Sequence, residues 1–146
     1  MTDVIADRLV NYTKSRLKGS ALTYGYRKGH LSSYFRKRIQ LIIEEVDNGL
    51  AGITFRRMEG PAKTDVIIGY GELPPEALAA SVWNDQSWEI RLQGNYFSSS
   101  AFKHELGHIL GLDHAPRGAK SLMQPDGGGF DDFTHGDWKA LNSTWG

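Results

Sequence analysis

Three of the chain's five histidines stand in one stretch, HELGHILGLDH, residues 104–114. His104 and His108 are four apart, with Glu105 between them and Gly111 and His114 beyond. An α-helix turns about 100° per residue, so its positions i and i+4 lie about 40° apart and share a face. Two histidines so placed can chelate one tetrahedral Zn2+. A third ligand from the next turn of the same helix would crowd the metal's open side. Gly111 offers a way round this, because glycine readily takes the left-handed conformation that ends a helix. The chain can then turn and bring His114 in from a new direction. Three protein ligands leave a fourth position for water, as in catalytic rather than structural zinc sites. Glu105 falls about 100° from His104, beside the ligands but separate from them. There it is placed to take a proton from a metal-activated water and pass it to a leaving amine.

These side chains need a rigid support. With residues 100–111 as a helix, Phe102, Leu106, Ile109 and Leu110 form an apolar back suited to a core. Ser98, Ser99 and Ser100 are suitable N-caps. Upstream, Ala21 to Arg27 reads as a strand. Residues 33–48 read as a helix, because Phe35, Ile39, Ile42, Ile43 and Val46 recur at helical spacing. Ser32 or Ser33 can cap its start, and Asn48-Gly49 can end it. Ile53 to Met58 and Thr64 to Tyr70 read as strands, and GELPPEALAA (71–80) as a loop. SVW and WEIRL flank NDQ as a short hairpin. A Gly/Pro-rich loop spans Pro116 to Asp132. In the last helix Thr134 and Asp137 fit a capping box, and Phe133 and Trp138 a hydrophobic staple. This order predicts an α/β (α+β) domain over 21–146 with a mixed sheet. Residues 1–20 read as an N-terminal arm or helix, on the weak pattern Val4, Ile5, Leu9, Tyr12.

Composition narrows the function classes. The 146 residues fit one domain, and 40% hydrophobic content suffices for a core. Lys plus Arg equals Asp plus Glu at 17 each, which offers no support for a nucleic-acid surface or a polybasic membrane patch. Without cysteine there is no disulfide, thiol catalysis or thiolate-bound zinc. No run approaches the roughly 18 apolar residues of a membrane span. No signal peptide is visible, so an intracellular, phage- or virion-associated, or processed secreted protein is compatible with the sequence.

The stretch HELGHILGLDH matches in full the HExxHxxGxxH motif of the metzincin zinc peptidases. The rest of the chain most resembles the matrixin branch, in minimal form. SLMQP (121–125) resembles the Met-turn, in which a methionine lies beneath the zinc; by that likeness Met123 is the floor of the site. LTYGYR resembles the first matrixin strand, and FTHGDWKALNSTWG the closing helix. The resemblance covers about Leu22 to Gly146. It implies a twisted, mostly parallel sheet with an antiparallel edge strand, a backing helix, an active-site helix and a C-terminal helix. It also implies one catalytic Zn2+ and a peptide bound as an added strand along Ala79, Ala80, Ser81, Val82 and Trp83. The loop from Gln124 to Phe133 would wall the pocket beyond the scissile bond, and its DGGGF run suggests flexibility.

Departures from the family pattern are specific. Ala115 stands where matrixins usually carry serine. GELPPEALAA lacks the His and Asp that would hold structural zinc or calcium, so one zinc and no accessory ion is expected. Gln124 offers no tyrosine ligand. His30 and His135 are isolated and read as surface or capping residues. Trp83, Trp88, Trp138 and Trp145 read as packing residues. Asp3 or Asp7 of the arm is a candidate to fold back onto the zinc. The leading expectation is a monomeric zinc endopeptidase acting on a protein or peptide substrate. Its alternative is a zinc-containing structural or binding module, such as a virion or assembly component, with little turnover.

Overall fold

The computed structural model describes residues 4–7, 19–27, 31–59 and 64–146. His30 and the arm's Asp3 lie outside these. The strands are β1 (Val4–Asp7), β2 (Ala21–Tyr26), β3 (Thr54–Arg57), β4 (Val66–Tyr70), β5 (Ala77–Trp83) and β6 (Trp88–Leu92). The helices are α1 (Ser33–Gly49), α2 (Ser99–Ile109) and α3 (His135–Trp145). None of them is long and apolar enough to cross a membrane.

Five strands in the order β3-β2-β4-β6-β5 make the expected mostly parallel sheet, with β5 antiparallel to β6. Alternation sets its faces. In β6, Trp88, Ile90 and Leu92 are buried, while Glu89 and Arg91 between them point to the other side. There Glu89 pairs with Arg27 and, at 3.5 Å, with Arg91. The buried face joins α1, α2 and α3 in one core. All five periodic apolar residues of α1 are buried, each contributing about 1.5–3 kcal/mol. Ser32 caps that helix by accepting from the Phe35 amide at 3.2 Å.

Two expectations are corrected. Within the N-terminal arm, Val4–Asp7 is a strand and not a helical turn. It runs parallel to β5, with Val4 opposite Ala77, Ala6 opposite Ala80 and Asp7 opposite Ser81. An unpartnered strand edge offers a row of backbone donors and acceptors, and pairing with it prevails over a weak helical pattern. The loop assigned to 71–80 ends sooner, since Ala77–Ala80 already belong to β5. Their pairing across to β6 overrides the low strand propensity of alanine.

Candidate metal centre

Helix α2 carries the centre. The Ser98 hydroxyl caps it by accepting from the Ala101 amide at 3.1 Å. The sequence pattern predicts one buried face, yet every residue from Ser100 to Ile109 is buried. The polar face is covered as well, because β5 crosses it on one side and residues 121–123 pack on the other. The helix ends at Leu110, and Gly111 takes φ +104°. The Gly111 amide bonds to the His108 carbonyl at 3.0 Å and the Leu112 amide to the Gly107 carbonyl at 2.9 Å. This is a Schellman motif, which satisfies carbonyls that a helix end would otherwise leave orphaned. The Trp145 indole N–H caps a further one, donating to the Leu110 carbonyl at 2.8 Å.

His104, His108 and His114 come together, with one ligand atom from each lying within 4.8 Å of the others. Their ring centroids are 4.6, 5.5 and 5.0 Å apart. His104 Nδ1 lies 2.8 Å from the Leu122 carbonyl oxygen, and His108 Nδ1 lies 2.7 Å from that of Leu112. A carbonyl can only accept, so each Nδ1 carries the proton and each neutral ring presents its Nε2 lone pair. The two Nε2 atoms face each other at 3.0 Å. The donor set of three imidazoles, two with Nδ1 locked by carbonyls, fits Zn2+.

Met123 is buried in the core against α2. A Cβ placed on Gly107 would come within 2.7 Å of the Met123 sulfur, so the glycine in HELGH admits the methionine to the helix surface. The Met123 carbonyl accepts from the Ala115 amide at 2.9 Å, which ties the segment bearing His114 to Met123. The buried Asp137 carboxylate braces the same turn. It accepts from the Ser121 hydroxyl at 2.5 Å, the Leu122 amide at 2.9 Å and the Thr134 amide at 3.0 Å. The expected capping box of α3 is present, and the Phe133 and Trp138 rings touch with centroids 5.7 Å apart.

Glu105 is fully buried beside the ligands, and its Oε1 accepts from the Ser81 hydroxyl at 2.6 Å. Ala79, Ala80, Ser81, Val82 and Trp83 all lie in β5. Their outer side is taken, as far as Ser81, by β1. The loop after Met123 is well bonded internally. Gln124 accepts from the Gly118 amide at 3.1 Å, and Asp126 caps a 3-10 turn, Gly127–Gly129, through the Gly128 amide at 2.9 Å. That amide holds the Asp126 carboxyl below the usual carboxylate range. The buried Lys103 ammonium ties the loop to α2 through Asp132 at 3.0 Å. Of the isolated residues, His135 is exposed at the start of α3, and Trp88 is a core residue.

The positioning groups escape sequence reading. The Leu112 and Leu122 carbonyls belong to the backbone, and no residue type marks them. Asp137 is legible as a capping residue but not as the brace of a loop fifteen residues away. Ser81 is legible as part of a strand, while its hydroxyl's partner lies 24 residues downstream.

No protein-family model matches the chain, and no curated protein does. Among solved structures the fold is similar to two of myroilysin, one at 21% identity with a TM-score of 0.55 and the other at 20% with 0.54. Each alignment covers 82% of this chain but only 55% and 57% of theirs, so the chain spans little more than half of myroilysin.

Proposed function

We propose that the chain is a zinc-dependent endopeptidase of matrixin-like form, with His104, His108 and His114 as ligands, Glu105 as general base and Met123 as the Met-turn floor. The observation that carries this reading is the ligand triad itself, with Nδ1 of His104 and His108 tied to carbonyls. The likeness in fold to myroilysin, a metallopeptidase, supports it. Zinc bound by three imidazoles would hold a water in its open position and lower that water's pKa to about 7. Glu105, one residue from His104, takes the proton and returns it to the departing amine. The protein or peptide substrate lies extended along β5, held by main-chain hydrogen bonds. Since β1 pairs with that edge, substrate must displace β1 there. The tethered loop from Gln124 to Phe133 walls the pocket beyond the scissile bond.

The test is zinc analysis and cleavage-site profiling on one sample. One zinc per chain is expected, with cleavage that a chelator abolishes and zinc restores. Glu105→Ala should keep the metal and lose at least 100-fold in rate, in line with the about 10²–10⁴ from general acid–base catalysis. Full cleavage by that variant would sink the mechanism. Bound zinc with no peptide cut by the native chain would favour a non-catalytic zinc module.

A further inference from the structure

Strand β5 is apolar on its buried positions except at one residue, Ser81, which is 2% exposed. Serine has little strand propensity, and burying a hydroxyl is unfavourable unless it is hydrogen-bonded. Its hydroxyl donates to Glu105 Oε1 at 2.6 Å, a short O–H···O bond. The last torsion of a glutamate side chain is broad and roughly two-fold, so helix geometry alone leaves the plane of the carboxylate undetermined. One strong bond to one oxygen selects that plane. The donor sits on a strand anchored to β6, where Ser81 is registered opposite Ile90.

We propose that Ser81 is a positioning residue for Glu105, which it holds in a fixed orientation toward the metal-bound ligand and references to the strand that receives the peptide. This rests on the zinc-peptidase reading for its purpose but not for its geometry. The peptide's main chain would lie along β5, and the base would be held by a side chain of the same strand. Substrate and base would then share one rigid frame, and small tolerances in the base's position carry large rate penalties.

A double-mutant cycle on the zinc-loaded protein tests this, read by the affinity of a peptide hydroxamate, whose protonated oxygen needs a carboxylate partner beside the metal. Ser81→Ala should bind one zinc and stay folded, melting somewhat lower because a buried Glu105 oxygen loses its donor, yet bind the hydroxamate about 10-fold more weakly. Ser81→Thr, which keeps the hydroxyl, should regain most of that. In the Glu105→Ala background Ser81→Ala should cost nothing more, because the group it positions is gone. In peptide cleavage Ser81→Ala should lower kcat and leave KM near the native value. Unchanged hydroxamate affinity in Ser81→Ala, a threonine variant no better than alanine, or equal losses with and without Glu105 would each overturn the inference. Its fate separates from that of the peptidase reading. The binding pattern without any cleavage would sink the peptidase and keep Ser81 as the positioning residue, whereas Glu105-dependent cleavage indifferent to Ser81 would do the reverse.

Discussion

The Asp137 carboxylate accepts a hydrogen bond from the Leu122 amide at 2.9 Å, and the carbonyl of that same Leu122 holds Nδ1 of His104 at 2.8 Å. A helix cap thus reaches His104 through the backbone of one residue. The carboxylate holds the Leu122 N–H, and the Leu122 carbonyl, on the far side of the same Cα, fixes the tautomer of the imidazole, so the coupling is one of backbone position.

Asp137→Ala would remove the acceptor of three bonds and strand the buried Ser121 hydroxyl. A loss of about 2–4 kcal/mol in stability is expected, from unmade bonds to a charged group and buried donors left unsatisfied. Zinc affinity should fall about 10-fold or more, the usual range for a lost outer-shell partner. Urea unfolding and zinc titration against a competing chelator measure the two effects, and unchanged zinc affinity would deny the coupling.

Gly111→Ala forces a side chain onto φ +104°. Strain of about 1–3 kcal/mol follows. The same turn supplies the Leu112 carbonyl to His108 and leads into His114. Zinc affinity should therefore drop more than the melting temperature suggests, and a variant that is merely less stable but binds zinc natively would contradict the role given to this turn.

Gly107→Ala sets two effects against each other. Alanine gains about 1 kcal/mol of helix propensity. Its Cβ, however, would meet the Met123 sulfur at 2.7 Å and its methyl at 3.1 Å. Overpacking in a core costs about 1–3 kcal/mol. Met123 is 2% exposed, so its thioether can shift only by repacking against other core side chains, and net destabilisation is expected. Gly107→Ala with Met123→Ala should recover part of it. A Gly107→Ala chain more stable than the native one would show that Met123 can move aside.

Removing residues 1–18 deletes β1 and exposes the outer side of β5 from Ala77 to Ser81. Peptide cleavage should accelerate several-fold and amide exchange along β5 should quicken, with zinc content unchanged. Slower cleavage would mean that β1 supports the sheet more than it obstructs it.

Much of this protein is settled by local sequence. The spacing of His104, Glu105, His108, Gly111 and His114 sets which groups share a face and where the helix stops, since 3.6-residue periodicity and glycine's access to positive φ are local properties. The buried stripe of α1 and the Thr134–Asp137 cap are local too, and both were legible. Tertiary structure alone decided what encloses the centre. The pairing of Val4–Asp7 with β5, the Leu112 and Leu122 carbonyls behind the histidines, the Ser81 hydroxyl on Glu105 and the Asp137 brace all join groups far apart in the chain or made of backbone. Each exists because a buried donor or acceptor must find a partner, and which partner is within reach depends on how the whole chain packs.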